Sequence, residues 1–292
     1  MKNQNIKDGI IYATLGSLWW GLLGTYFFQY ISFAGTIEVV THRTFWTCII
    51  LFFTTIYLNK WSILKKIIFN FKNLLILFIT SLLILSNWTT WIYAVATERI
   101  IDASYGYFIF PIINVLFGNL FFNEQLNFKR YLSITIVVFS CLYLLFFINS
   151  FPWLGLLVAL FWGAYNILRK KINVDTDIGL FVESLFVFPI SLIVFYIIYS
   201  KGMNEFTFSN PLNMFLLFLA GPMTVIPLFL FIKGLEKAGL GPSGMIFFVT
   251  PTAQFLLGYF YFNEYFSIEK LISFILIWIA VIIYIKDIYE NS

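Results

Sequence analysis

The sequence predicts an all-α integral membrane protein with ten transmembrane helices in two inverted five-helix repeats. Three observations predict it. Hydrophobic residues make up 61% of the 292 residues and charged residues only 11%, against roughly a quarter charged in a soluble domain. Mean hydropathy is +0.89, and apolar stretches recur along the whole chain. One block also occurs twice, 140 residues apart: FIFPIINVLFGNLFFNE at 108–124 and FVTPTAQFLLGYFYFNE at 248–264. Pro111 matches Pro251, Gly118 matches Gly258, and Asn123-Glu124 matches Asn263-Glu264.

The expected spans follow in order. Lys2 and Lys7 precede an apolar stretch from Gly9 to Phe28, too long for a signal-peptide core and without a small-residue cleavage site, so it reads as a retained first helix. Further spans are expected near 36–58, 73–96, 101–122 and 131–149, then 153–170, 178–200, 212–233, 241–262 and 269–286. Each supplies about 18 to 24 residues, which at 1.5 Å per residue matches a hydrocarbon core roughly 30 Å thick. Asn59-Lys60, Asn149-Ser150-Phe151-Pro152, Lys201-Gly202 and Gly239-Leu240-Gly241-Pro242 mark ends. Only 59–72 and 201–211 exceed a tight turn. Cys48 and Cys141 fall inside apolar runs and read as packing residues.

Charge sets the orientation. With the amino terminus in the cytoplasm, the inner side collects fourteen basic residues, among them Lys65-Lys66, Lys129-Arg130 and Arg169-Lys170-Lys171. The outer side holds three, Arg99, Lys201 and Lys270. This is a positive-inside asymmetry. It persists through Lys286 only with ten spans, which leaves both termini cytoplasmic. Each half, 1–149 and 150–292, then has five helices. An odd number puts the second half into the membrane upside down, an arrangement typical of carriers.

Ionisable residues inside a membrane are costly and face internal cavities. Helix two carries His42 and Arg43, and helix seven carries Glu183 at the position related to Arg43. The fixed charge and planar fork of Arg43 suit a carboxylate; the alternative is that it serves backbone carbonyls or snorkels outward. Glu183 could carry a proton, or pack against Arg169-Lys170-Lys171. His42 is the only histidine, and a structural hydrogen bond stands beside a switch as its reading. Asn114 and Gln254 correspond, three residues after Pro111 and Pro251, which are hinge candidates. Asn87 and Thr224 are weaker polar signals. Trp20, Trp88, Trp91 and Trp162 could wall a cavity or belong to aromatic belts.

No HExxH, CxxC or GxxxxGK[ST] motif occurs, so zinc proteolysis, metal-thiolate sites and a built-in ATPase are not indicated. No cofactor, metal or nucleic-acid partner is implied. The expected partners are the bilayer and a small solute, with a carboxylate-bearing solute and proton coupling as the specific options. Oligomeric state stays open.

The chain resembles the drug/metabolite transporter superfamily of the EamA type, and most closely its RarD family. The matching words are Glu38-Val39-Val40-Thr41-His42-Arg43, Ser86-Asn87-Trp88, Ala103-Ser104-Tyr105-Gly106-Tyr107-Phe108-Ile109-Phe110-Pro111, Leu168-Arg169-Lys170-Lys171, Gly179-Leu180-Phe181-Val182-Glu183-Ser184 and Val225-Ile226-Pro227-Leu228. The resemblance implies a ten-helix inner-membrane permease with a central cavity. Two departures stand out: Phe110 and Phe247 occupy positions where RarD relatives carry Asn and Gln. A permease of small organic solutes is therefore the expected function. The alternatives are a non-transporting membrane sensor or partner-binding protein, and an intramembrane enzyme.

Overall fold

The computed structural model describes residues 2–96, 100–146, 152–261 and 268–291, and every regular element among them is helical. Asn263-Glu264, Arg99 and Asn149-Ser150-Phe151 lie outside the described residues. In hydrocarbon a helix satisfies its own backbone groups, which suits so apolar a chain.

The first rod runs from Lys2 to Tyr30. Here α1 (Lys2–Leu18) passes through a π-helical turn, Trp19–Gly24, into α2 (Thr25–Tyr30). Gly35 leads into α3 (Thr36–Tyr57). The connection expected at 59–72 contains a short amphipathic helix, α4 (Trp61–Ile68), which buries Leu64 and Ile67 and exposes Lys65 and Lys66. Then come α5 (Phe71–Ala96), α6 (Ile100–Phe122), α7 (Phe128–Leu145), α8 (Trp153–Lys171) and α9 (Thr176–Ser200).

The next two expected spans are each broken. One consists of α10 (Pro211–Leu219) and α11 (Pro222–Ala238), the other of α12 (Leu240–Ile246) and α13 (Val249–Phe260). Proline explains both breaks. Pro222 and Pro251 have no N–H for the carbonyls four residues earlier. Those carbonyls accept instead from a tighter turn: Gly221 N–H to Phe218 O at 3.2 Å, and Thr250 N–H to Phe247 O at 2.9 Å. By contrast α6 continues through Pro111. The last helix, α14 (Ile268–Asn291), extends beyond Lys286.

Among the described residues six helical stretches are long and apolar enough to cross a membrane: Thr36–Tyr57, Phe71–Trp91, Phe128–Leu145, Thr176–Ser200, Pro211–Ala238 and Leu271–Glu290. Large apolar side chains such as Phe53, Ile193 and Ile282 stand exposed on these helices. In water such a surface would aggregate; in a bilayer it faces lipid tails.

Small residues bring the helices together. Packing of α1 along α11 is so close that a methyl group on Gly234 would sit 2.6 Å from the Ala13 nitrogen. The other main pairings are α3 with α9, α5 with α8, α6 with α8 and α12, and α7 with α14. The α7–α14 pair forms a side wall with its own core, including Val137, Cys141, Ile277 and Val281. At one end of the bundle Glu124 accepts from Leu240 N–H at 2.7 Å and Gly241 N–H at 2.8 Å. It thereby caps the orphan donors that begin α12. Gly239, at φ 101°, makes that turn in a conformation L side chains rarely adopt.

Candidate functional site

Arg43 stands two turns into α3 and projects toward neighbouring helices. Its Nε donates to Thr224 Oγ1 at 3.0 Å. That hydroxyl spends its own proton on Ala220 O at 2.7 Å, so its lone pairs are turned toward the arginine. The guanidinium carbon lies 4.4 Å from the Phe28 ring centroid and 4.8 Å from that of Trp88. Thus α2, α3, α5 and α11 all reach one half-buried cation. Arg43 has no carboxylate partner among the described residues, and its two terminal nitrogens make no hydrogen bond to them. A fork of N–H donors held between aromatic faces has the geometry to bind a planar anion.

Other expected site residues divide between this centre and elsewhere. Trp88 belongs to it directly. Trp91 packs at a tilt against Tyr107, with centroids 5.2 Å apart. Asn87 serves backbone, donating to Val158 O at 2.9 Å. Trp20 and Trp162 meet each other at 5.7 Å, within a packed cluster containing Phe110, Tyr165, Phe231 and Phe247. Asn114 is fully buried against Gly244, and neither of its amide atoms finds a partner among the described residues. Gln254 is half-buried on α13 without a hydrogen bond to them. Pro111 and Pro251 are both buried. Only Pro251 adjoins a helix break.

Glu183 is placed away from Arg43, at a different charge cluster. It accepts from Thr80 Oγ1 at 2.6 Å and Tyr165 Oη at 3.1 Å, and lies 3.6 Å from Arg169 Nε. Arg169 is itself 1% exposed and reaches toward Glu236 at 3.9 Å. Thr176 donates to the same Glu236 at 2.6 Å. Beside this cluster Lys60 bonds Asp177 at 2.7 Å and Asp175 at 3.2 Å. These contacts tie the start of α9 to α8, α11 and the connection after α3.

The other end of α3 is tied differently. Glu38, 3% exposed, accepts from Glu205 N–H at 3.0 Å and Phe206 N–H at 3.1 Å. His42 sits one turn along, buried between the rings of Phe195 and Phe206. Glu38 and Phe28 were not singled out as site residues from sequence. A carboxylate at a helix start is common, and a phenylalanine among 37 carries no signal. Among the described residues no group of three or more His, Cys, Asp or Glu is placed to hold a metal ion.

Comparisons with known proteins agree with this architecture. The profile of the EamA-like transporter family matches residues 7–146 and again 150–286. The uncharacterized transporter YojE of Bacillus subtilis is 32% identical over 97% of this chain and 95% of its own length. Protein RarD of Escherichia coli is 28% identical over 98% of this chain and 97% of its own. A solved crystal structure shares the fold with a TM-score of 0.69 at 11% identity, covering 95% of this chain and 97% of that one.

Proposed function

The chain belongs to the EamA-like transporter family, and from that premise we propose a secondary transporter of small organic solutes bearing an anionic group, a carboxylate foremost. It works by alternating access across the bacterial inner membrane, with both termini cytoplasmic. Residues 1–149 and 150–292 are its two inverted five-helix repeats. The helix pairings support that division. α1 on α11 in one direction is matched by α8 on α5 in the other, while α3 with α9 and α7 with α14 join corresponding members.

One observation carries the substrate class: the guanidinium of Arg43 lies at a four-element junction with its terminal N–H groups unspent among the described residues. A guanidinium at mid-membrane costs at least about 2.5–3.5 kcal/mol on insertion scales. A water-filled cavity and an anionic solute each offset that. The two clasps, Glu38 with the 205–206 backbone and Lys60 with Asp177, close opposite ends of the α3–α9 pair. Alternating access requires them to open in turn. The first lies at the outer end and the second, with Arg169 and Glu183, at the cytoplasmic end.

Purified protein in liposomes tests this reading. Carboxylated and neutral solutes are screened for uptake and efflux, with and without a pH gradient, for the natural chain and Arg43→Gln. Wild type moves carboxylated solutes and the variant loses them while remaining monodisperse. Equal transport by both would sink the assignment of Arg43.

A further inference from the structure

His42 offers an observation that the solute site does not use. Trp46 Nε1–H donates to its Nδ1 at 3.0 Å. An indole nitrogen can only donate, so Nδ1 must present a lone pair and the imidazole is neutral with its proton on Nε2. That Nε2 is buried, has no hydrogen-bond partner among the described residues, and lies 3.6 Å from Glu38 Oε1. A buried carboxylate and a neutral imidazole thus share a site that carries one negative charge and lacks one proton.

The site has access and consequences. A cavity of about 490 Å³ reaches the pair, lined by Glu38, His42, Phe45, Trp46, Asn204 and Phe206, with the exposed Tyr196 and Tyr199 at its rim. The titratable groups around the imidazole are Glu38 on its own helix, Tyr196 and Tyr199 on α9, and Glu205 in the connection after α9. Arg43 is the next residue along α3, turned about 100° away. The Trp46 ring in turn packs edge-on against Phe218, at the break between α10 and α11, with centroids 5.0 Å apart. One turn beyond Gly221, Thr224 holds Arg43.

We propose that the Glu38–His42 pair is the proton-binding site of the carrier, loaded from the outer side. This rests on the transporter reading and supplies its coupling ion. One proton enters at Nδ1 of His42. The imidazolium then has two donors and no acceptor for Trp46, whose indole is released, while Nε2–H turns to Glu38 as a charged pair. Competition for the carboxylate loosens its hold on Glu205 and Phe206. The release of Trp46 frees the α10–α11 break that positions Thr224 against Arg43. Proton loading, opening of the outer clasp and adjustment of the solute site are therefore one linked event. Glu183, held by Thr80, Tyr165 and Arg169, is left as part of the inner closure.

Because the chain has a single histidine, selective imidazole labelling reports on this site alone. The full chain is placed in lipid nanodiscs and its labelled imidazole followed by NMR from about pH 4 to 9, a range that brackets the ordinary histidine value. The expected result is an Nε2–H tautomer at high pH that becomes doubly protonated as pH falls. Spin labels at Ile37 and Met203, both exposed beside the outer clasp, in a Cys48→Ser, Cys141→Ser background, should move apart with the same midpoint. Glu38→Gln should weaken proton affinity about tenfold, a shift of one pH unit. His42→Gln, whose side-chain oxygen can still accept from Trp46, should abolish the movement. An imidazole that keeps one protonation state throughout, or a movement unchanged in His42→Gln, would overturn the proposal. If His42→Gln does not fold, the NMR titration and Glu38→Gln decide it. Neither readout uses a solute. A chain that passes both yet transports nothing would refute the transporter reading and leave the proton site standing.

Discussion

Phe110 and Phe247 meet edge to face, their ring centroids 4.7 Å apart at 73°. They are the two positions where the resemblance to the RarD family leads one to expect Asn and Gln. The two rings satisfy each other in the middle of the aromatic cluster between α6 and α12.

That pairing predicts non-additive substitutions. Phe110→Asn or Phe247→Gln alone buries an amide against rings, at a cost of about 1–3 kcal/mol for an unsatisfied polar group. The double substitution should recover a large part of the loss, because the amides can bond each other. Thermal unfolding in detergent, read as a double-mutant cycle, checks this. Simple additivity of the two losses would mean the amides do not meet.

A second prediction concerns Arg169 and Glu183. Removing one partner of a buried pair leaves the other uncompensated, at about 3–5 kcal/mol. Arg169→Met should therefore lower thermal stability strongly. Arg169→Met with Glu183→Leu should be milder than Arg169→Met alone, since well-packed apolar residues often replace a buried pair without loss. Gly179→Ala should act like a mild version of the arginine variant, because an added methyl would collide with the guanidinium.

The two ends of the α3–α9 pair should respond differently to pH. Burial works against the charge on Lys60, but hydrogen bonds to Asp177 and Asp175 outweigh it and hold the ammonium above the usual lysine range. A raised folded value means that its stabilisation is complete below the unfolded value of about 10.4 and is lost only as pH rises through the folded one. Hydrogen exchange at 175–179, corrected for intrinsic rates, should thus show constant protection from about pH 6 to 9. Lys60→Met should speed it only about two- to fivefold, as befits a partly exposed pair worth about 1 kcal/mol or less.

Legibility in the sequence followed physical scale. The crossing helices Thr36–Tyr57 and Thr176–Ser200 were readable because a bilayer imposes length and apolarity on contiguous residues. The amphipathic α4 was hidden by its brevity, although Trp61, Leu64 and Ile67 have helical spacing. Pro222, Pro251 and Pro111 were all visible, yet α6 does not break at Pro111. Whether a missing hydrogen bond opens a turn depends on neighbours that pack from elsewhere, such as Asn114 against Gly244. Arg169 looked like one of three basic residues at a helix end and is instead among the most buried side chains. The clasp of Glu38 could not be read at all, since it accepts from backbone N–H groups 167 and 168 positions away, and every residue but proline offers one.

The last prediction grades the Arg43 site by its parts. Arg43→Lys should keep some transport of carboxylated solutes, because a point charge replaces a bidentate fork. Thr224→Val removes the acceptor that orients Nε, so the guanidinium gains freedom but keeps its charge. The expected loss is in apparent affinity, by about fivefold, equivalent to roughly 1 kcal/mol for one hydrogen bond. Trp88→Ala removes one aromatic face, worth about 0.5–2 kcal/mol as a cation–π contact, and should weaken apparent affinity about two- to thirtyfold. Phe28→Ala should resemble it, since the two rings flank the same cation at 4.4 and 4.8 Å. Concentration dependence of uptake into liposomes separates affinity from maximal rate. If Thr224→Val and Trp88→Ala change neither, while both remain folded, the fork does not meet the solute and the site lies elsewhere.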